Sequence, residues 1–251
     1  MDKLLTDKIT FVADGTGAIG VGIVRAFLLE DATVIVPSKS ARGLTWLKEY
    51  VADIECGKLV TLLADYPYYD KASDIAENVE AQYGRMDFAV SVFDTPAASP
   101  CLTELDITDW QKMTDQNITA SFICGHVFLR IMKERRHGMY ISISNTDDLE
   151  KKSWAALANI AATMQVEMAR AFFEEVKQYG VRYIHLFVNN VATRQKHSRF
   201  VNKEGWITPE MIGDYITQLY NKNPDNTDNL FHWLLGKPVV VDNINIKQAI
   251  K

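Results

Sequence analysis

Short apolar runs alternate with longer amphipathic segments along the chain. The runs are rich in β-branched residues and bounded by turn or capping residues, which predicts strands. The predicted strands are Ile9–Ala13, Thr33–Val36, Leu59–Ala64, Asp87–Val92, Met139–Ser144, Val181–Val188 and Pro238–Val241. Periodic apolar positions predict helices at Ala18–Glu30, Gly43–Ala52, Asp70–Tyr83, Asp109–Arg136, Trp154–Tyr179, Pro209–Lys222 and Thr227–Leu235. This alternation is typical of an α/β fold with a doubly wound, seven-stranded parallel sheet flanked by helices.

Local signals mark several of the helix ends. Thr108 opens a capping box, and Thr208 followed by Pro209 supplies a cap and then a proline at the first helical position. The predicted C-terminal caps are Gly180 and Gly236. Because ligands bind beyond the carboxyl ends of the strands in such sheets, we expect function in the loops that follow the strands.

Composition and charge restrict the class of protein. The chain has 251 residues, of which 47% are hydrophobic and 24% charged, as in a soluble globular protein, and we expect a single domain over 1–251. The net charge is −5 and no basic block occurs, so nucleic acid is not an expected partner. The most apolar stretch, Ile9 to Leu29, is broken by charges and glycines, so no membrane span is predicted.

Cysteine usage and the first residues favour a cytoplasmic protein. Cys56, Cys101 and Cys124 are widely separated and form no metal-ligand pair, and their odd number fits a reducing compartment. The N-terminal residues include two acids and do not form a secretory signal. No metal site is predicted, because no histidine or acid stands at ligand spacing.

A glycine-rich turn follows the first predicted strand and opens a helix. Residues 15–20 read G-T-G-A-I-G and fit G-x-G-x-x-G, the fingerprint of a Rossmann-type dinucleotide-binding unit. We therefore expect a cofactor pyrophosphate on this loop; its predicted contact residues are Gly15, Thr16, Gly17, Ile19 and Gly20. A turn needed only for packing is the alternative. Asp14 would repel a phosphate unless its carboxylate points away.

The end of the second strand favours NADP(H) over NAD(H). An NAD-binding unit usually carries an acid about 20 positions after the glycines to bond the ribose hydroxyls. Residues 32–48 contain no acid, and Lys39 and Arg42 stand where a 2′-phosphate would lie. The alternative is that both are solvated loop charges.

From Lys8 to Asp242 the chain resembles the short-chain dehydrogenase/reductase family. Residues 13–20 resemble its T-G-x-x-G-x-x-G loop, with Ala13 and Asp14 replacing the first Thr and Gly. The resemblance implies an aspartate toward the adenine ring, a structural and proton-relay asparagine, and a threonine on the cofactor carboxamide. These fall on Asp65, with Tyr66 beside it in the cofactor site, and on Asn117 and Thr193.

The resemblance fails at the positions that carry the family's chemistry. Its N-N-A-G is replaced by residues 91–94, which read S-V-F-D and end in Asp94. Its catalytic serine corresponds to Asn145, or to Ser144 if the register slips by one. Its Tyr-x-x-x-Lys, which moves the proton, reads A-N-I-A-A, with Ala158 and Ala162 in place of the tyrosine and lysine.

Several polar and aromatic residues near the predicted strand ends could replace the missing tyrosine and lysine. The candidates are Tyr66, Tyr68, Asp94, Ser144, Asp147, Asp148, Lys151, Lys152 and Trp154, each of which has a simpler interpretation as a loop or capping residue. His126 and His185 are predicted to be core residues. Residues 194–229 are predicted to form a substrate lid. The apolar surfaces of the two long helices, together with the family resemblance, imply a homodimer or homotetramer.

Three functions remain open. The first is an NADP(H)-dependent oxidoreductase acting on a small molecule by an atypical mechanism, with water or a relocated group moving the proton. The second is a catalytically silent binding or regulatory protein that kept the fold. The third is a non-redox lyase that uses the same crevice.

Overall fold

Seven parallel strands form one sheet. The computed structural model describes residues 3–65, 68–93, 99–145, 156–192, 205–221 and 230–236. The strands are β1 (Ile9–Ala13), β2 (Thr33–Ser38), β3 (Lys58–Leu63), β4 (Phe88–Val92), β5 (Gly138–Asn145), β6 (Val181–Asn189) and β7 (Phe231–Leu235). Their order is β3-β2-β1-β4-β5-β6-β7, and every neighbouring pair is parallel. The predicted α/β doubly wound sheet is confirmed.

Helices cover both faces of the sheet. They are α1 (Gly20–Leu29), α2 (Ala41–Tyr50), α3 (Tyr69–Tyr83), α4 (Ile107–Met113), α5 (Ala120–Arg135), α6 (Ala156–Val176) and α7 (Pro209–Asn221). Apolar residues of α1, α2 and α7 pack in one core cluster, and those of α3, α5 and α6 pack in a second. The strand order reverses between β1 and β4, so we look for a ligand crevice at the carboxyl ends of these strands.

The seventh strand lies earlier than predicted. Phe231–Leu235 is a strand, so the predicted helix Thr227–Leu235 is wrong over these residues, and Pro238–Val241 lies outside the described residues. The side chains alternate as a strand requires: the Trp233 ring stacks 5.4 Å from Phe187 of β6, whereas the Tyr215 hydroxyl of α7 lies 3.1 Å from His232 Nδ1. Gly236 caps no helix, and its amide donates to Asn189 Oδ1.

The helix ends confirm two predicted caps and correct a third. Met211 N donates to Thr208 Oγ1, and Gly180 adopts φ 72°, as a C-terminal cap requires. The predicted box at Thr108 is wrong, because Asp106 is the cap and its Oδ1 accepts from Thr108 N at 2.7 Å. The chain enters the helix two residues earlier, where a carboxylate can accept from the first turn.

The predicted helix Asp109–Arg136 contains an irregular turn. A π-helical turn at Thr114–Thr119 joins α4 to α5. Such turns add one residue to the helical repeat and are frequent at functional sites. This one contains Asn117.

Helix α7 packs directly on α1. Gly22 lies so close to the backbone of Pro209 that an added Cβ would stand 2.1 Å from its carbonyl carbon, and Gly213 lies against Ala26. Helix α7 belongs to the region that the sequence assigns to a lid, and the structure anchors this part to the first helix. Among the described helices, none is long and apolar enough to cross a membrane.

Candidate functional site

The glycine-rich loop makes a tight turn between β1 and α1. Gly17 N donates to the Asp14 carbonyl at 2.8 Å, and an added Cβ at Gly20 would lie 2.1 Å from that same oxygen. Helix α1 begins at Gly20 without a side-chain cap and without an acid in its first turn. A loop in which glycine is sterically required and a helix start without a carboxylate are suited to a phosphate group.

The predicted loop residues differ in what they can offer a ligand. Ile19 is buried in the core, so only its backbone is available. Asp14 adopts φ 55°, and its carboxylate lies over Gly17, where an added Cβ would stand 2.1 Å from Oδ2. The sequence left the direction of this carboxylate open, and the structure places it on the loop that would receive the phosphate.

Hydroxyl groups cluster where β2 ends. Thr16 Oγ1 lies 3.2 Å from Ser38 Oγ, and Ser38 Oγ accepts from Ser40 N at 3.2 Å. Ser40 in turn caps α2, because its Oγ accepts from Gly43 N at 3.0 Å. Lys39, between the two serines, is exposed. The cluster therefore combines hydroxyls, a helix start and a cation at the edge of the glycine-rich loop.

Polar side chains also join the ends of β4 and β5. Ser144 is 3% exposed, and its hydroxyl donates to Gln165 Oε1 at 2.7 Å. Gln165 Nε2 donates to the Phe93 carbonyl at 3.0 Å and lies 3.3 Å from Ser121 Oγ. Asn145, the next residue of β5, is partly exposed. The structure thus places Ser144 in the interior and Asn145 at the edge.

Asn117 is buried in the π-helical turn. Its Nδ2 donates to the Met113 carbonyl at 3.2 Å, a bond between residues one turn apart. The amide is therefore held within its own helix, near the start of α5.

Two alanines of α6 stand at the positions that the family resemblance assigns to the tyrosine and the lysine. Ala158 and Ala162 are partly exposed, whereas Ala161, Gln165 and Ala169 along the same helix are buried. Over Ala156–Val176 this helix contains neither tyrosine nor lysine. Methyl groups at these positions neither donate nor accept a proton.

Comparisons with known proteins show the family to which this chain belongs. The family model described as short chain dehydrogenase matches residues 8–204, more than half of the chain. The chain belongs to the short-chain dehydrogenase family. A short chain dehydrogenase of Pseudocercospora fijiensis is 31% identical over 143 residues, which cover 56% of this chain and 46% of that relative's length.

Other proteins match more of this short-chain dehydrogenase at lower identity. An uncharacterized oxidoreductase of Staphylococcus saprophyticus is 23% identical over 191 residues, covering 75% of this chain and 80% of that protein. The solved structure of ElxO with NADP bound matches with a TM-score of 0.79 at 18% identity, covering 91% of this chain and 97% of that one.

Several predicted residues of this short-chain dehydrogenase lie outside the described residues. They are Tyr66, Asp94, Asp147, Asp148, Lys151, Lys152, Trp154 and Thr193. Asp65 follows β3 and is half-buried, and its carbonyl accepts from Tyr68 N at 3.4 Å. Tyr68 is exposed and precedes α3.

Sequence reasoning missed Ser38, Ser40 and Gln165. The two serines flank Lys39, and Ser40 could have been recognised because a serine that precedes a helix is a capping signal. The signal for Gln165 was a polar residue in line with Ala161 and Ala169 on a buried face. Such a residue needs partners, which only the fold could identify.

Of the two histidines predicted to be core residues, His185 lies in the core, whereas His126 is only half-buried. His185 is fully buried, its Nδ1 lies 2.7 Å from Ser142 Oγ, and burial lowers the pKa of its imidazole to about 3. Tyr183 donates to the same Ser142 hydroxyl, and burial raises the pKa of its phenol. His126 packs between the rings of Tyr69 and Phe122.

Proposed function

We propose that this protein is an oxidoreductase of the short-chain dehydrogenase family that binds NADP(H) in preference to NAD(H) and acts on a small molecule. The hydroxyl cluster of Thr16, Ser38 and Ser40 carries the proposal. ElxO, whose fold this chain shares, has been solved with NADP bound.

The cluster suits a 2′-phosphate for electrostatic and geometric reasons. A phosphate monoester carries between one and two negative charges near neutral pH and accepts several hydrogen bonds. The hydroxyls of Thr16 and Ser38 lie 3.2 Å apart at the end of β2, and the Ser40 hydroxyl caps α2, whose first turn contains no acid. Lys39 and Arg42 add positive charge from exposed positions. A carboxylate would instead favour the ribose hydroxyls of NAD(H).

Other residues would hold the rest of the dinucleotide. The loop from Gly15 to Gly20 would receive the pyrophosphate at the start of α1. By resemblance to the family, Asp65 and Tyr66 would lie toward the adenine, and Thr193 would contact the carboxamide. When bound, the cofactor supplies or accepts the hydride, and the protein binds and orients both partners.

Proton transfer would follow an atypical route. In the family a tyrosine and a lysine move the proton, and Ala158 and Ala162 stand at the matching positions. We propose that alcohol–ketone interconversion is very slow in this protein, with water or a relocated group as proton source. We propose Asn117 and Asn145 as polar side chains of the part of the site where proton transfer would occur.

A second candidate is a catalytically silent binding protein. The Asp14 carboxylate over Gly17 favours it, because a negative charge on the loop weakens phosphate binding. Turnover of a carbonyl substrate with NADPH would exclude it.

We also propose a cytoplasmic homodimer or homotetramer. The three cysteines are free thiols, which suits a reducing compartment. Phe122 of α5 and Met164 of α6 are 48% and 41% exposed, and large exposed apolar side chains favour burial in an interface. A monomer in light scattering would contradict the oligomer.

Titration with NADPH and NADH by calorimetry tests the cofactor assignment. We expect NADPH to bind at least about 10-fold more tightly, a difference of about 1.4 kcal/mol. Ser38→Asp places a carboxylate in the hydroxyl cluster and is expected to reverse the preference. Gln82→Glu adds the same charge on the exposed side of α3 and should leave it unchanged. Binding of neither cofactor would refute the oxidoreductase, and a wild-type preference for NADH would refute the choice of NADP(H).

A further inference from the structure

Gln165 is a buried polar side chain on an otherwise apolar helix face. It is 7% exposed and stands one turn from Ala161 and one turn from Ala169 in α6. A primary amide buried without partners costs free energy, so its hydrogen bonds decide whether it is tolerated. All of its bonding groups have partners: one oxygen that accepts and two N–H groups that donate.

The partners of Gln165 lie on three different elements. Its Oε1 accepts from Ser144 Oγ at the end of β5 at 2.7 Å. Its Nε2 donates to the carbonyl of Phe93, the residue after β4, at 3.0 Å and to Ser121 Oγ of α5 at 3.3 Å. One side chain therefore ties together two neighbouring strand ends that border the crevice.

We propose that Gln165 is a positioning residue for the cofactor and substrate site. It holds the ends of β4 and β5 together and draws the Ser144 hydroxyl inward, which leaves Asn145 as the side chain that β5 presents to the crevice. This inference rests on the proposed function, since it assigns a role within the same site.

The bond to Gln165 also decides the role of Ser144. Its O–H is donated to Gln165 Oε1, so the hydroxyl has no proton to give a substrate while this bond is intact. The Ser144 hydroxyl therefore serves to connect the strand ends and not to donate a proton to the substrate.

The donor and acceptor pattern suggests a decisive substitution. Gln165→Glu keeps the size of the side chain but replaces the NH₂ group by an oxygen. When ionised, the carboxylate faces the Phe93 carbonyl without a proton to share. When protonated, it donates once and accepts once, which restores the bonds to Phe93 and Ser144. Because burial favours the neutral acid, this exchange should take place within an accessible pH range.

The titratable groups that the structure describes near Gln165 do not titrate over the same range. Ser91, Phe93, Ser121, Ser142, Met168 and Tyr183 line a cavity of about 10 Å³ beside Gln165. Burial raises the pKa of Tyr183 and lowers that of His185, which is bonded to Ser142, to about 3. Cys124 on α5 is also buried, and its pKa is raised to about 12.

The experiment measures the dissociation constant of NADP⁺ between pH 5.5 and pH 8 for four proteins. They are the wild type, Gln165→Glu, Gln165→Met and Gln111→Glu. The dissociation constant of each variant is divided by that of the wild type at the same pH. This ratio removes the effect of the titration of the cofactor's own phosphate. Gln111 is exposed on α4, so Gln111→Glu is the matched control for the change from amide to acid.

We expect Gln165→Glu to weaken binding at least about 10-fold at pH 8 and less than about 3-fold at pH 5.5. Gln165→Met, which fills the space without bonding, should weaken binding about equally at both pH values. Gln111→Glu should match the wild type. A ratio for Gln165→Glu that is constant with pH, or wild-type binding by both Gln165 variants, would overturn the proposal.

A measurement without cofactor separates this inference from the proposed function. Hydrogen exchange of the backbone amides at the ends of β4 and β5 should be faster in Gln165→Met than in the wild type, with the β1–β2 pairing unchanged. If the wild type does not bind NADP⁺, the proposed function fails, and exchange still tests the connection. If Gln165→Glu does not fold, Ser144→Ala removes one bond and should accelerate exchange at the β5 end; unchanged exchange there would refute the connection.

Discussion

The two halves of the crevice are built from different side chains. At the ends of β1 and β2, glycines and hydroxyls surround an uncapped helix start, an arrangement that suits a phosphorylated ligand. At the ends of β4 and β5, the described polar groups are amides and a hydroxyl that bond to one another, and the adjacent face of α6 presents alanine methyls. The half at the ends of β1 and β2 therefore offers groups to a phosphorylated ligand, whereas the described polar groups at the ends of β4 and β5 bond to one another.

The largest expected effect concerns His185 of β6, which is buried beside Ser142 of β5. Burial lowers the pKa of His185 from 6.5 to about 3. Between pH 6.5 and about pH 3 the unfolded chain binds a proton at this imidazole and the folded protein does not. The free energy of unfolding therefore falls as the pH falls. His185→Asn keeps a partner for Ser142 and removes this linkage.

Between pH 7 and pH 4 the wild type should lose about 3 kcal/mol more free energy of unfolding than the His185→Asn variant. Urea unfolding at several pH values measures the difference. Equal losses in the two proteins would mean that His185 is protonated in the folded state.

The next largest effect is expected when the two alanines of α6 are replaced by groups that can transfer a proton. Ala158→Tyr combined with Ala162→Lys introduces a phenol and an ammonium one turn apart on α6. General acid–base groups contribute about 100- to 10,000-fold to a rate when well placed, so we expect at least about 10-fold more NADPH oxidation with a simple ketone than in the wild type.

Each single substitution serves as a control for the pair, because a phenol without its ammonium, or the reverse, should give less than the double variant. Robust ketone reduction by the unaltered protein would show that the β4–β5 half already contains a proton donor and would remove the contrast between the halves.

The smallest expected effect concerns the half of the crevice at the ends of β1 and β2. Asp14→Asn removes a negative charge from the loop while keeping a residue type that tolerates positive φ. Two unit charges about 4 Å apart that are screened as in bulk water interact by about 1 kcal/mol, so NADPH should bind about 5-fold more tightly to the variant. Calorimetry measures this; weaker binding would mean that the carboxylate orders the loop rather than repelling the phosphate.

The sequence predicted the sheet well because alternation of apolar runs reports burial directly. The prediction from sequence was wrong where a short segment fits both a helix pattern and a strand pattern. Phe231–Leu235 contains leucines that fit a helix, and only its pairing with β6 and the contact of Trp233 with Phe187 decide in favour of a strand. Propensity is local, whereas strand pairing is not.

The glycines of the candidate site could be predicted from the sequence, whereas its side-chain hydrogen bonds could not. Gly17 and Gly20 are required by contacts with Asp14, a few residues away in the chain. Gln165 acts on Phe93 and Ser144, which are 72 and 21 residues away. Its role, and the choice between Ser144 and Asn145, depend on tertiary contacts that no sequence spacing contains.

The close contact between α1 and α7 has a mechanical consequence. The first turn of α1 receives the proposed pyrophosphate, and Gly22, two residues further on, lies against Pro209 at the start of α7. Because no side chain separates the two backbones, α1 and α7 pack as one unit, and the start of α7 is held at a fixed distance from the glycine-rich turn.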